Sequence, residues 1–170
     1  MTQQALSDAN VEMTVSRPDM PNDYGIPDGD EGMLTWTQVS AWLEKAPVYW
    51  LATASLDGRP HATPIWGTWV DGAFYFDGSP DTRWARNLAV NPRIVVHIES
   101  GSSVVMLEGT VSTETPEAEL FKRIADQSEA KYKYRPDSAN GVYSVRPDKA
   151  FAWDNNDFAK TATRWRFGKR

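Results

Sequence analysis

The chain has 170 residues, of which 41% are hydrophobic, so it can bury a substantial core as a single domain. Its formal net charge of −5 disfavours a general nucleic-acid binder, and the absence of cysteine excludes disulfides, thiolate nucleophiles and thiolate metal ligands. Apolar runs stay well short of the roughly 18 residues of a membrane-spanning helix, and the first residues lack a signal-peptide pattern. We therefore expect a cytoplasmic protein with no nucleic-acid or membrane partner.

The first 32 residues are rich in Asp, Gly and Pro and have few periodic apolar positions. Such a composition buries too little apolar surface to offset the entropy of ordering the chain. We predict a flexible N-terminal arm over residues 1–32, followed by one domain over residues 33–170.

The first predicted helix begins after Thr35, which forms a capping box with Gln38. Leu34 and Val39 occupy the positions of a hydrophobic staple, and Pro47 ends the segment. This amphipathic helix is expected to cover one mouth of a barrel.

Two Asp-Gly pairs predict β-hairpins. Asp57-Gly58 separates the β-rich residues 50–55 from residues 61–70, and Asp71-Gly72 separates that run from residues 73–76. An Asp-Gly pair between strands favours a type I′ turn, which needs positive φ at both central positions. The sequence therefore predicts three adjacent antiparallel strands.

A cationic helix follows. Ser79 is a candidate N-cap, Pro80 suits the first helical position, and the helix is predicted to end near Val90. Arg83 and Arg86 lie within it, so a helix N-terminus and guanidinium groups together form a candidate receptor for phosphate or carboxylate. The alternative is an ordinary solvated face of the helix.

The second half of the chain predicts more strands, at residues 93–99, 104–111, 141–154 and 161–167, with a helix at residues 116–132 and a polar loop at 131–140. Many short antiparallel strands with few helices favour a barrel, in which closure removes exposed edges.

No constellation of catalytic side chains is evident. His61 and His97 fall in different strands without an acidic cluster, so we expect no metal site, and the motifs of serine hydrolases and of nucleotide-binding folds are missing. A bound redox cofactor would account for this, since the cofactor supplies the chemistry while the protein holds and shields it.

Four short motifs follow one another: Gly58-Arg59-Pro60, Pro64-Ile65-Trp66, Thr82-Arg83 with Arg86-Asn87-Leu88, and Asn91-Pro92-Arg93. In this order they resemble the split-barrel flavin and deazaflavin oxidoreductases, the relatives of pyridoxamine 5′-phosphate oxidase. Residues 161–167 (TATRWRF) resemble the actinobacterial branch, many of whose members use coenzyme F420. The resemblance implies a mainly β fold with peripheral helices, a six- to seven-stranded antiparallel split β-barrel of the FMN-binding type.

The resemblance also implies a cofactor site, built at the interface of a homodimer. Its expected ring-binding strand carries Thr63, Pro64, Ile65 and Trp66; its phosphate segment carries Arg83, Arg86 and Asn87; and Arg164 and Trp165 would approach the pocket. Trp84 is included although relatives commonly have lysine there. Either the two arginines suffice, or the cofactor sits differently, or its binding is weakened or lost.

The expected activity is hydride transfer from F420H2 to a conjugated small molecule, with no catalytic residue from the protein. Two alternatives stay open. One is an FMN-dependent oxidase or flavin reductase of the same fold, and the other is a non-catalytic split barrel that holds a cofactor, haem or another planar ligand.

Overall fold

The computed structural model describes residues 12–168, apart from the side chain of Glu99, and in them nine strands and four α-helices are present. In chain order these are β1 (Met13–Ser16), α1 (Trp36–Lys45), β2 (Tyr49–Ala54), β3 (Pro60–Ile65), β4 (Thr68–Val70), β5 (Ala73–Phe76), α2 (Arg83–Val90), β6 (Arg93–Glu99), β7 (Ser103–Ser112), α3 (Ala118–Tyr132), β8 (Tyr143–Asp154), α4 (Phe158–Thr161) and β9 (Thr163–Phe167).

The strands form one antiparallel sheet in the order β1-β9-β8-β7-β6-β2-β3, and the β4-β5 hairpin joins it where β5 pairs with β8. The twelve-residue strand β8 connects the two parts, because it pairs with β7, β9 and β5. The predicted mainly β split barrel is confirmed. The predicted count of six to seven strands is wrong, because the N-terminal segment adds β1 and one predicted strand is divided into β3 and β4.

The division falls at Gly67. Residues 61–70, predicted as one strand, leave the sheet after Ile65 and resume at Thr68, so β3 pairs only with β2 while β4 pairs only with β5. The prediction of three adjacent strands is therefore wrong. Only glycine fits at this break, since a Cβ on Gly67 would clash with the ring of Phe74 and lie 2.7 Å from the carbonyl oxygen of Tyr75.

The two Asp-Gly turns differ. Asp71 and Gly72 both have positive φ, at 50° and 70°, as a type I′ turn requires. At the other turn only Gly58 has positive φ, at 81°, and its N–H donates to the carbonyl of Ser55 at 2.9 Å. That geometry is a three-residue loop with a glycine bulge, so the type I′ prediction is wrong for this hairpin.

The helix signals were accurate to within a few residues. The capping box of α1 is confirmed, with Gln38 N–H donating to Thr35 Oγ1 at 3.3 Å and Thr35 N–H donating to Gln38 Oε1 at 2.9 Å. Helix α2 ends at Val90 as predicted, but it begins at Arg83 with Thr82 as its N-cap. Ser79 instead closes the preceding turn, because its carbonyl accepts from the Thr82 N–H at 3.1 Å.

The N-terminal segment is attached to the sheet from residue 13 onward. Strand β1 pairs with β9. The Arg17 guanidinium also connects the two segments, because it donates to carbonyl oxygens of the N-terminal segment and of the residues just before β9: Gly29, Glu31, Lys160 and Ala162. This strand was not expected within the arm. Residues 1–11 lie outside the described residues, and a domain boundary near residue 32 stays a prediction.

Aromatic rings fill the centre of the molecule. Trp36 of α1 packs against Trp69 at a ring separation of 6.0 Å and against Trp165 at 5.4 Å, and all three side chains are buried. Helix α1 thereby closes the core on one side of the barrel.

Replacing Gly67 with alanine should destabilise the fold by about 3 kcal/mol, because the added methyl overpacks a rigid ring and a backbone carbonyl. Gly29→Ala is the matched control, since a Cβ there meets no atom within 4 Å and its φ is not in the left-handed region; it should stay within about 0.5 kcal/mol of wild type. Urea unfolding measures both, and equal stability of the two variants would contradict the close packing at Gly67.

Candidate functional site

A cavity of about 610 Å³ lies where the end of β3 meets β4, β5 and α3. We call it the aromatic cavity. Its volume is within the range of small-molecule sites. It is lined by Val48, Pro64, Ile65, Trp66, Gly67, Thr68, Tyr75, Phe76, Asp77, Ile124, Ser128, Tyr134, Pro136 and Val142.

Trp66 in the wall of the aromatic cavity is backed by the ring of Tyr132, which does not itself line the cavity, and we call this stacked pair the ring wall. The indole of Trp66 lies parallel to the ring of Tyr132, with centroids 5.0 Å apart and planes at 6°. The Tyr132 hydroxyl donates to the carbonyl of Gly67 at 2.9 Å and accepts from the N–H of Gly67 at 3.2 Å. The hydrogen bonds between Tyr132 and Gly67 therefore hold both the break between β3 and β4 and the ring wall. The indole of Trp66 stays 55% exposed.

Lys131 stands behind this wall. Its ammonium donates to the Tyr49 hydroxyl at 3.0 Å and to the Gly67 carbonyl at 3.3 Å, and it lies 4.9 Å from the centroid of the Tyr49 ring. The Tyr49 hydroxyl donates in turn to the carbonyl of Leu43 in the last turn of α1. Burial lowers the pKa of Lys131 to about 8, and burial also raises the pKa of Tyr49.

The polar groups of the aromatic cavity are few. Among residues 12–168, Asp77 is the only charged residue of its lining, and its carboxylate accepts a hydrogen bond from the Tyr134 hydroxyl at 2.8 Å. That bond to Asp77 raises the pKa of Tyr134. Thr68 is only 2% exposed, and its hydroxyl has no hydrogen-bond partner among residues 12–168. A buried hydroxyl without a partner is costly, so a bound ligand or water would relieve it.

A second cavity, of about 790 Å³, is charged. We call it the charged groove; its ionic lining consists of Arg93, Glu108, Asp148, Lys149 and Arg166. Lys149 is paired with Glu108 at 2.6 Å, which leaves two arginines facing one aspartate.

Of the predicted ring-binding strand, Pro64, Ile65 and Trp66 line the aromatic cavity. Thr63 is half-buried on the same strand without lining it, and its hydroxyl approaches the Pro64 carbonyl at 3.4 Å.

The predicted phosphate segment lies at the opposite, hairpin end of β3. Arg83 and Arg86 are exposed on α2, and Arg83 helps to lower the pKa of Asp57 in the hairpin loop, after the larger effect of the hydrogen bond from the Ser55 hydroxyl. Asn87 is buried and donates to Thr53 Oγ1 at 3.0 Å, and Thr53 lines the charged groove. The six residues of β3 span roughly 17 Å from end to end.

The remaining predicted residues line neither cavity. Trp84 is 6% exposed and packs edge-on against Phe76 and Tyr143, at ring separations of 5.3 and 5.1 Å. Trp165 is fully buried against Trp36, and Arg164 donates to Ser16 Oγ at 3.1 Å. Any role of these side chains in cofactor binding stays a prediction.

Sequence analysis missed Thr68, Asp77, Lys131, Tyr132 and Tyr134. The last three belong to the stretch KYKY. The predicted helix end at Tyr132 agrees with α3, but these side chains were interpreted only as the start of a polar loop. The alternation of lysine and tyrosine was the available signal, because such amphipathic side chains bury their rings and stems while keeping a polar end at the surface.

The chain matches the family model of pyridoxamine 5′-phosphate oxidase over residues 35–154. It belongs to this family. The matched region runs from the N-cap of α1 to the end of β8, so it includes the aromatic cavity and helix α2. No curated protein matches the chain.

Solved structures share the fold of this family at low identity. A conserved hypothetical protein from Mycobacterium tuberculosis has a TM-score of 0.59 and 22% identity, over 72% of this chain and 86% of that one. General stress protein 26 from Bacillus anthracis has a TM-score of 0.56 and 18% identity, over 68% and 91%. The heme storage protein of Vibrio cholerae has a TM-score of 0.52 and 17% identity, over 65% and 88%. At these identities the likeness is one of fold.

Two features are absent from the described residues. No helix there is long and apolar enough to cross a membrane. No group of three or more His, Cys, Asp or Glu side chains is placed to hold a metal ion within the same part of the chain.

Replacing Thr68 with valine should raise the free energy of unfolding by about 1 kcal/mol, because valine keeps the shape and removes a buried hydroxyl without a partner. Thr163→Val is the matched control. The hydroxyl of Thr163, also buried, accepts from the Leu34 N–H and donates to the Thr161 carbonyl, both at 2.8 Å. Its loss should cost about 2 kcal/mol. Chemical denaturation of the ligand-free proteins tests the pair, and destabilisation by Thr68→Val would show that its hydroxyl is satisfied.

Lys131 should make the protein more stable as the pH rises from about 8 to about 9.5. Its pKa falls from 10.5 to about 8 on folding, so in this window the unfolded chain binds more protons and stability increases with pH. The slope is at most about 1.4 kcal/mol per pH unit. Denaturation across this range should show the increase in wild type and in Lys122→Met, an exposed position on the same helix. Its persistence in Lys131→Met would exclude Lys131 as the cause.

Proposed function

We propose that this protein binds coenzyme F420 and transfers a hydride from F420H2 to a conjugated small molecule. The observation that carries the proposal is the arrangement along β3. The Pro64–Trp66 end of the strand lines an aromatic cavity, and its hairpin end lies beside the exposed guanidinium of Arg83 on α2.

The two ends suit the two parts of the cofactor. F420 has a planar ring system joined to a phosphate and an acidic glutamyl tail, and a tail of this kind needs cations. Arg83 makes no hydrogen bond to another described residue, and the charged groove adds Arg93 and Arg166 near the bond between Asn87 and Thr53. Guanidinium groups bind phosphate and carboxylate in two-pronged geometry, so these residues fit the anionic part of the group.

The proposed reaction requires no catalytic side chain from the protein. Bound F420H2 supplies the hydride, so the chain needs only to hold the ring, anchor its tail and exclude water from the reacting face. The stacked Trp66 and Tyr132 rings provide a fixed apolar surface for this purpose, because Tyr132 is bonded to the backbone of Gly67.

We further propose that the active form is a homodimer with the cofactor site at its interface. Trp50 and Val48 are each 38% exposed, and the indole of Trp50 stacks on the ring of His97 with centroids 6.3 Å apart. An apolar surface of this kind beside the edge strand β3 is typical of a subunit contact.

Titration of the purified protein with F420, followed by tryptophan quenching, tests the proposal. We expect micromolar or tighter binding of F420, weak binding of FMN and of hemin, and oxidation of F420H2 on addition of a conjugated acceptor. Tighter binding of FMN would identify a flavin enzyme, and tighter binding of hemin would identify a haem-holding barrel; each outcome overturns the F420 assignment.

Arg83→Ala should weaken F420 binding by about 1.5–3 kcal/mol, the usual contribution of a hydrogen bond to a charged group, without unfolding the protein. Arg135→Ala is the control, since this arginine is paired with Asp126 and Glu129 on α3, away from α2. Unchanged affinity in the folded Arg83→Ala protein would remove this residue from the site.

A further inference from the structure

The aromatic cavity has a charge of one sign. Asp77 is the only charged side chain that the described residues contribute to its lining, and the nearby ammonium of Lys131 is directed to Tyr49 and Gly67 behind the ring wall. Most of the remaining lining is aliphatic or aromatic. Charges interact more strongly in such surroundings than in water, so an anion entering this cavity would be repelled and a cation attracted.

The Asp77 carboxylate still has capacity to accept hydrogen bonds. Tyr134 donates to Oδ2 at 2.8 Å, and Oδ1 accepts no hydrogen bond from any residue in the described range 12–168. A carboxylate can accept about four hydrogen bonds, so one oxygen remains for a donor on a ligand.

Thr68 is an independent sign of a ligand. Its buried hydroxyl has no partner in the described part of the chain, although Thr68 lines the same cavity. Thr68 on β4 is the register partner of Tyr75 on β5, and Asp77 lies one residue beyond the end of β5, so the two polar groups lie on adjoining segments of this hairpin. A ligand there would meet the Asp77 carboxylate in a largely apolar site, with the buried Thr68 hydroxyl in the cavity wall.

The rim of the cavity favours a flat molecule. Trp66 is 55% exposed and Tyr134 is 42% exposed, and their rings are 6.5 Å apart at 46°. Exposed aromatic faces beside an apolar cavity are suited to stacking with a planar, conjugated ligand.

From these observations we infer that the aromatic cavity binds a planar conjugated molecule that is cationic or neutral, carries an N–H or O–H donor facing Asp77, and bears no anionic group. Within the proposed function this molecule is the hydride acceptor, which occupies the aromatic cavity together with the ring of F420. Binding itself requires neither F420 nor turnover.

Two planar three-ring probes of opposite charge test the inference in the absence of F420. Proflavine is a cation with two amino donors, and 9-anthracenecarboxylate is an anion of similar size. Fluorescence anisotropy titrations at pH 7 and 0.15 M salt suppress long-range effects of the net negative charge. We expect wild type to bind proflavine at least about tenfold more tightly than 9-anthracenecarboxylate, the effect of one charge-assisted hydrogen bond.

Asp77→Asn should reduce the preference for proflavine to within about twofold, because the amide keeps the shape and removes the charge. Asp137→Asn is the matched control, since Asp137 is exposed near Tyr134 but does not line the cavity; it should keep the wild-type preference. Tyr134→Phe is a second variant that frees Asp77 Oδ2 and should bind proflavine at least as tightly as wild type.

Three results would overturn the inference: no saturable binding of proflavine by wild type, equal binding of the two probes, or equal loss in Asp77→Asn and Asp137→Asn. Thermal unfolding confirms that each variant is folded. Because no cofactor is present, these outcomes are independent of the F420 titration, so failure of the proposed reductase activity and failure of this binding site can be told apart.

Discussion

The close approach of the backbone to Phe74 at Gly67 is the constraint on which the arrangement of this molecule depends. No other residue fits there, because a side chain would overlap the ring and crowd the carbonyl of Tyr75. The strand consequently leaves β2 at Ile65 and joins β5 at Thr68. Trp66, at the break, is left with its indole outside the core and stacked on Tyr132. The break that splits the sheet therefore also creates one wall of the cavity.

The buried polar groups around this point connect three elements. Lys131 of α3 is bonded to Tyr49 of β2 and to Gly67, and Tyr49 is bonded to Leu43 at the end of α1. Each group would be costly if left alone in the interior, and each is satisfied only when all three elements are in place. The position of the ring wall is thus coupled to the packing of both helices, which makes the cavity a rigid feature of the fold.

Packing within helix α2 accounts for Trp84. Trp84, Asn87 and Leu88 form its buried face, while Arg83 and Arg86, three residues apart, lie together on its exposed face. The indole fills a space beside Phe76, Tyr143 and Gly78, where a Cβ on the glycine would lie 2.8 Å from Trp84 Cζ2. Packing accounts for this residue, and the arginines carry the cationic character of the helix.

The sequence by itself determined the features that depend on local chemistry. The capping box predicted the start of α1, the Asp71-Gly72 pair predicted a type I′ turn, and the ordered motifs indicated the split-barrel family. Cavity-lining Pro64, Ile65 and Trp66 were also among the predicted site residues. Each of these signals lies within a few consecutive residues or in a motif order that a single sequence displays.

Only the tertiary structure decided the features that depend on contacts between distant residues. At the break, Gly67 packs against a ring seven residues away. The pairing of β1 with β9 joins the two ends of the described chain, and the buried side chain of Asn87 donates to Thr53. Asp77, Thr68 and Tyr134 form one cavity because β4, β5 and the segment after α3 meet there. Local sequence propensity does not predict these contacts, because they arise from the way the whole chain packs around its aromatic core.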